Sequence, residues 1–330
     1  MTILIVTGQD DVHADIVIPK LEHRGCSVVR MNTDNFAENA RFTVHGEDWN
    51  GSVQLHDSGR SFVLQEVTAV WYRKPVPIRS KAALAFEQAA EFANGEYESF
   101  LRSLYALLGE AFWLSDYWRI RLASQKLANL RLAQRIGLKT PPTIVTNDEA
   151  EARRFADRHD WKILAKPFAL TTFKTDPNAP TSWDSFATIV SREMFDTLAP
   201  SIALAPTMMQ KYVDKEIELR VTVVGRRVFC ASIDSQAHAY ADQDWRAVDA
   251  EELKHAAYSL PQEVVDKLLA INRAHGLQFS THDIIVDKDG DYVWLEINPN
   301  GQWAWVEQLA GLPISDAIAE LLTAPSAHAL

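Results

Sequence analysis

Cysteine, glycine-rich loops and positive charge are all scarce in this chain. Only two cysteines occur among 330 residues, Cys26 and Cys230. Each sits in an apolar, strand-like run, so a disulfide framework and a Cys/His zinc site are excluded, and two buried free thiols in a reducing compartment are expected. The 13 glycines form no phosphate-binding Gly-Lys-Ser/Thr loop, no Gly-x-Gly-x-x-Gly fingerprint and no Gly-x-Ser-x-Gly elbow, which sets aside P-loop NTPases, Rossmann dehydrogenases and α/β-hydrolases. No apolar run approaches the ~20 residues that span a bilayer. The opening Met1-Thr-Ile-Leu-Ile-Val-Thr-Gly8 has no basic lead-in and too short an apolar run for a signal peptide, so a cytoplasmic protein with no membrane partner is expected. Lys and Arg number 33 against 44 Asp and Glu, a net charge of −11. That balance argues against nucleic acid, whose binding is driven by phosphate neutralisation, and permits a basic peptide or a metal-bound nucleotide.

What is present is an ordinary globular composition, 47% hydrophobic and 23% charged, long enough for two or three domains. Residues 2–6 form a buried-type strand, 10–23 a helix ending at Gly25 and 26–31 a second strand, a βαβ start that predicts a parallel sheet. Short strands follow near 42–45, 53–56 and 62–65, then a strand at 67–72 running into Arg73-Lys74-Pro75. Residues 81–114 are helical in pattern with a break near Asn94-Gly95, and the first domain ends near residue 117. A helix over 117–136 is stopped by Gly137 and Pro141-Pro142. Thr146 to Glu149 has the spacing of a capping box. Strands are expected at 161–167, 207–213, 218–224 and 228–234, with Gly225-Arg226 as the turn between the last two. Helices are expected at 261–275 and 315–322.

The densest chemistry lies in residues 283–298. Asp289-Gly290 is the strongest hairpin-turn signal in the chain. A two-residue turn there sets Lys288 opposite Asp291, Ile285 opposite Trp294 and Asp283 opposite Glu296, with Asn298 on the same face as Glu296. Ile284, Val286, Val293, Leu295 and Ile297 are left for the core face. Facing carboxylates destabilise a sheet unless a cation lies between them, and an all-oxygen set suits Mg²⁺ with a nucleotide. An acidic solvent-facing strand is the plainer alternative. An EF-hand starting at Asp287 fails, because Tyr292 and Asn298 stand where Gly and Glu are required.

Further features are compatible with an anionic ligand. In 218–224, Glu218, Arg220 and Thr222 share the face opposite Leu219, Val221 and Val223, offering an anion for a ribose hydroxyl and a guanidinium for phosphate or carboxylate; a surface ion pair is the alternative. Lys166 ends an apolar strand, where an ammonium needs an anion. Lys126, placed mid-helix, has a spacing that fits the same cleft, although helical lysines are mostly solvated. Arg73 and Lys74 end a strand where open α/β sheets bind ligands, or form a solvated basic turn. Ser235-Gln236 and Asp244-Trp245-Arg246 flank a polar loop containing His238.

Taken in order, Lys126, Lys166-Pro167, Gln210-Lys-Tyr-Val213, Glu218-Leu-Arg220 and Asp283 with Glu296-Ile-Asn298-Pro resemble an ATP-grasp ligase over 118–330. Val70-Trp-Tyr-Arg-Lys-Pro75, Ser235-Gln236, Asp244-Trp-Arg246 and Asn298-Pro-Asn-Gly-Gln302-Trp303 resemble, more narrowly, the graspetide synthetases, microviridin-type ligases that macrocyclise ribosomal peptides. The resemblance implies an α/β and α+β architecture, an ATP-grasp fold behind an N-terminal α/β domain. Its parts would be 1–117, a central lobe 118–206 and a C-terminal lobe 207–330. It implies ATP and Mg²⁺ as cofactors and a precursor peptide with a leader and an acidic, Thr-rich core as partner. Lys126 and Lys166 would hold phosphates, backbone of Gln210, Lys211, Tyr212 and Val213 the adenine, and Glu218 or Glu216 the ribose. Asp283, Glu296 and Asn298 would hold Mg²⁺. Arg220 would lie near the transferred phosphate, and Arg73, Arg246 and Gln302 would face the peptide. Asp234 and Asp244 are both candidates for a general base, and a homodimer fits the fold. The chain departs from many ATP-grasp enzymes at residues 168–183, which lack the usual phosphate-covering glycines; Lys174 is the candidate substitute. Two other functions use the same site: an amino-acid ligase of the glutathione-synthetase type, and a nucleotide-gated peptide binder without catalysis.

Overall fold

Three sheets, one per third of the chain, carry the structure. The computed structural model describes residues 1–80, 87–168, 172–173, 183–184, 187–235 and 250–330. Lys174, Gln236, His238, Asp244 and Arg246, singled out above, lie outside the described residues.

The N-terminal sheet is parallel, with Ser27–Asn32, Thr2–Thr7, Val67–Tyr72 and Phe112–Trp113 side by side in that order. Its inner strands, Thr2–Thr7 and Val67–Tyr72, are mostly apolar and buried on both faces, as a parallel sheet covered on both sides requires. The helix Val12–His23 crosses between the first two strands. Asp11 caps it, its side chain accepting from the His13 N–H. The short strands Ala40–Val44, Gly51–Leu55 and Ser61–Val63 form a separate antiparallel sheet. The helix Glu87–Leu107 runs straight through Asn94-Gly95, so the expected break is absent. A helical glycine costs only about 1 kcal/mol, which burial of Leu101, Leu104, Tyr105 and Leu108 offsets.

The expected helix over 117–136 is two helices, Tyr117–Ala123 and Lys126–Ile136. Side chains satisfy the carbonyls freed at the break, Ser124 Oγ donating to Ile120 O at 2.8 Å and Asn129 Nδ2 to Ala123 O at 2.7 Å. Lys126 therefore opens a helix instead of lying in the middle of one. The cap of Glu149–Arg158 is likewise Asp148 and not Thr146. The Asp148 carboxylate accepts from the N–H groups of Ala150 and Glu151, and Thr146 Oγ1 accepts from the Asp148 N–H.

The central sheet orders Thr188–Ile189, Ile163–Lys166, Thr207–Lys211 and Thr143–Thr146, all antiparallel. The C-terminal sheet orders His255–Ala257, Arg227–Ile233, Lys215–Val224, Phe279–Asp287 and Tyr292–Asn298. Gly225, at φ 56°, turns Lys215–Val224 into Arg227–Ile233, as its sequence predicts. The closing helix Ile314–Thr323 joins the N-terminal sheet in one core that contains Ile3, Ile5, Trp71, Trp303, Ile318 and Leu322, so the chain's ends are packed together. Both cysteines are buried and free. Among the described residues no helix is long and apolar enough to cross a membrane.

Candidate active site

The hairpin delivers Asp283 directly opposite Glu296, as the spacing predicts, but by a different route. The turn is a three-residue loop, not two. Asp287 N donates to Asp291 O and Gly290 N to Asp287 O, both at 3.0 Å, with Gly290 at φ 84°, the geometry of a three-residue hairpin loop with a glycine in the left-handed region. The Asp287 side chain holds this loop, its Oδ1 accepting from the N–H groups of Asp289 and Asp291. Ile285 consequently pairs with Val293, not with Trp294, which faces Ile284. Leu295 is an extra residue that shifts the register back, so that Asp283 meets Glu296 and Thr281 meets Asn298. The bulge sends Leu295 into the cleft and Trp294 into the core beside Ile284, Val286 and Ile297. Leu295 thus leaves the core face expected for it, whereas Val293, paired with Ile285, stays buried. Re-aiming a side chain beside a site is a common use of a bulge.

Behind the hairpin, Lys215–Val224 places Arg220 against Asp283 and Glu218 against Ile285. Arg220 Nη1 donates to Asp283 Oδ1 at 2.6 Å and Nη2 to Gln302 O at 3.1 Å; guanidinium and carboxylate are both nearly buried. A bulge at Glu216 turns that residue outward, while Glu218 lines the cleft. Of the two ribose candidates only Glu218 is therefore in place. Lys215 Nζ and Ser235 Oγ both donate to Glu218 Oε1, at 2.6 and 2.7 Å.

Two adjoining hollows form one cleft between the central and C-terminal sheets. The first is lined by Lys166, Gln210 to Val213, Lys215, Glu218 and Leu295. The second is lined by Lys126, Asn129, Lys166, Gln210, Glu296 and Asn298. Lys166, Gln210 and Leu295 border both, so the two expected phosphate lysines and the acidic hairpin converge as predicted. Lys126 Nζ reaches across to Pro167 O at 2.7 Å. The N–H groups of Lys211 and Tyr212 donate to Pro142 O and Lys162 O. Gln210 is buried and donates from Nε2 to Thr143 Oγ1 at 3.0 Å.

Among the described residues no three His, Cys, Asp or Glu side chains gather as a metal cluster. The expected cation site has two carboxylates and an amide, Asn298 Nδ2 lying 3.5 Å from Glu296 Oε1. Opposed carboxylates with an amide oxygen two residues on make an oxygen-only donor set, which fits a hard divalent cation.

Arg73 departs from expectation. It is 0% exposed, so it does not face a peptide from an open surface. Its Nη1 donates to Asn300 O at 2.9 Å, while Nε and Nη2 lack partners among the described residues. Burial lowers its pKa to about 10, although Asp11 partly offsets this.

Lys215, Asn129 and Ser235 take part in the cleft although only Ser235 drew notice in the sequence. Lys215 and Glu218 are three apart and would point to opposite faces of a regular strand; only the bulge at Glu216 aligns them, and no sequence signal announces it.

Residues 2–121 match the family model of the MvdD pre-ATP-grasp domain. No functionally curated sequence matches the chain. Among solved structures, the macrocyclase MdnC of Microcystis aeruginosa MRC, bound with the precursor peptide MdnA, superposes with a TM-score of 0.86 at 29% identity, covering 98% of this chain and 99% of that one. An ATP-grasp ligase associated with a ribosomal peptide of Chryseobacterium gregarium, in complex with ADP and a leader and core peptide, gives 0.87 at 28%, over 98% and 96% of the chains. The ligase PsnB, complexed with a minimal precursor, Mg and ADP, shares the fold at 20% identity, with a TM-score of 0.74 over 98% of both chains. Residues 2–121 thus carry an MvdD-like pre-ATP-grasp domain, and over its length the chain is similar to graspetide synthetases, ATP-grasp ligases of ribosomal peptides.

Proposed function

We propose that this chain is an ATP-dependent macrocyclase of a ribosomal precursor peptide. A side-chain carboxylate of Asp or Glu in the peptide attacks the γ-phosphorus, ADP leaves, and an acyl phosphate results. A Thr or Ser hydroxyl, or a Lys amine, then attacks the acyl carbon. Phosphate leaves with the activated oxygen, the nucleophile loses its proton, and an ω-ester or ω-amide closes the ring. The observation that carries this reading is the cleft itself. Lys126, Lys166, Glu218, Glu296 and Asn298 converge there, in a chain that aligns end to end with two ligases solved with precursor peptides.

Phosphoryl transfer asks mainly for positioning and charge neutralisation. Lys126 and Lys166 supply positive charge on the central side. Asp283, Glu296 and Asn298 would hold Mg²⁺, which supplies further neutralisation when bound. Glu218, steadied by Lys215 and Ser235, accepts from the ribose hydroxyls, and the carbonyls of Gln210 to Val213 meet the adenine edge. Arg220, held by Asp283 and the Gln302 carbonyl, would steady the transferred phosphate or the oxyanion. The enzyme acts in the cytoplasm, where ATP and a nascent leader peptide are both at hand.

The test is the intact mass of a precursor peptide after incubation with enzyme, ATP and Mg²⁺. Loss of one water per ring, dependent on ATP, is expected. ADP formed only with free amino acids would instead identify a ligase of the glutathione-synthetase type. Nucleotide and peptide binding without ADP would leave a binding module.

A further inference from the structure

The loop from Asn298 to Trp303, which joins the acidic hairpin to the helix Ala304–Ala310, is clasped on both sides. On the side of the C-terminal sheet, Arg220 Nη2 donates to the Gln302 carbonyl. Gly301 lies so close to Thr281 that a Cβ would stand 1.8 Å from its Oγ1, so no other residue fits there. On the opposite side the contacts come from the N-terminal domain. Arg73 donates to Asn300 O, and the Trp303 N–H donates to His13 Nε2 at 3.3 Å. The Trp303 indole, fully buried, meets the His13 ring edge-on at 5.1 Å.

His13 is itself held from behind. Its Nδ1 lies 3.2 Å from Asp11 Oδ1, and Asp11 Oδ2 accepts from Thr7 Oγ1 at 2.6 Å. His13 and Asp11 are both buried. An imidazole whose Nε2 accepts a hydrogen bond must carry its proton on Nδ1, and that is the nitrogen facing the carboxylate. The chain Thr7–Asp11–His13 therefore selects one tautomer and presents one lone pair to Trp303. Burial also pushes the His13 pKa down, which keeps that lone pair available at neutral pH.

We propose that His13, oriented by Asp11 and Thr7, is a positioning residue for the ligation reaction. Through Trp303 it fixes the loop whose Gln302 carbonyl aims Arg220 and whose first residue is Asn298. The N-terminal domain thereby sets the geometry of a site 200 residues and more away in sequence. This rests on the reading of Arg220 and Asn298 under the proposed function.

Three variants test it, His13→Ala, His13→Gln and Asp11→Asn. Glutamine keeps an acceptor oxygen for Trp303, and alanine does not. In His13→Ala, kcat for peptide ligation should fall by about ten- to a hundredfold with KM for ATP nearly unchanged, since misplacement remote from the chemistry acts on turnover. Hydrogen exchange of the peptide spanning 299–303, measured by mass spectrometry without ligands, should quicken. Asp11→Asn should show the same pattern more weakly. His13→Gln should recover both the slow exchange and most of kcat. Slow exchange retained in His13→Ala overturns the clasp. Quickened exchange with unchanged kcat, or a fall in kcat that glutamine does not rescue once folding is recovered, overturns the positioning role. If wild-type protein processed no precursor, the exchange contrast would still decide the clasp, so a failure of the functional reading is distinguishable from a failure of this one.

Discussion

The two walls of the cleft are built differently. On the C-terminal wall the functional side chains are already held by one another: Asp283 by Arg220, and Glu218 by Lys215 and Ser235. Apart from Ser235, they lie on adjacent strands of ten and nine residues in the interior of a five-stranded sheet. On the central wall the strands have two to five residues, and the contributions are two lysines and a stretch of backbone. The first wall is preorganised for fixed charges, the second for a ligand that completes it. An ion-paired lattice of side chains can be disrupted at one point and lose much; a lysine at a cleft edge can be lost with mainly local effect.

Replacing Glu296 by Gln gives the largest functional change expected. Ligation should fall by at least about a hundredfold, the scale seen when one preorganised electrostatic group at a reacting centre is removed, while urea unfolding shifts little. Intact-mass assays with denaturation curves check this; retained ligation would sink the metal assignment.

Arg220→Ala should cost both activity and about 3–5 kcal/mol of stability, because it strands the buried Asp283 charge. The buried pair with Asp283 makes Arg220 structural as well as a candidate for the chemistry. Arg220→Lys, which keeps the charge but not the fork to Gln302, separates the two by retaining more stability than activity. Equal stability of wild type and Arg220→Ala would break the contrast between the walls.

On the central wall, Lys166→Met should raise KM for ATP with a loss of about 1.5–3 kcal/mol in nucleotide binding, the worth of a charged hydrogen bond. Little change in the urea midpoint is expected. Calorimetric titration with ADP and Mg²⁺ reads the first and a urea melt the second.

Acidity sharpens the comparison further. Burial lowers the pKa of His13 and His275 below the ordinary 6.5. Below that value the unfolded chain binds more protons than the folded one, so their contribution to stability is complete above pH 6.5 and is lost as pH falls through the lowered folded values. Asp11 adds to the loss at the acid extreme. Burial would raise its pKa, but hydrogen bonds from His13 and Thr7 outweigh this and bring it to about 2. The urea midpoint should therefore be lower at pH 5 than at pH 7.5, with no further gain between pH 7.5 and 8.5 from these groups.

The smallest effect belongs to Lys139. It bridges Asp287 and Asp291 at 2.8 and 2.7 Å but is half exposed, so Lys139→Ala should cost no more than about 1 kcal/mol. A larger loss in a urea melt would mean that this pair, more than the bulge at Leu295, fixes the hairpin register.

Local pattern and motif order were enough for much of this. The parallel start of the fold, the turn at Gly225, the alternation of Glu218, Arg220 and Thr222, and the meeting of Asp283 with Glu296 all follow from periodicity two and from turn chemistry, which act over a few residues. The ordered set from Lys126 to Asn298 marked the family likeness. What the sequence could not display were departures from periodicity that only distant contacts stabilise. The bulges at Glu216 and Leu295 realign side chains by one position, and their benefit appears only once the central sheet closes over them. The break before Lys126 depends on Ser124 and Asn129 capping freed carbonyls. Arg73 illustrates the same limit: a strand-end arginine looks solvated or ligand-facing, yet the fold buries it beneath Asn300, because the chain's two ends share one core and only their packing decides which polar groups meet.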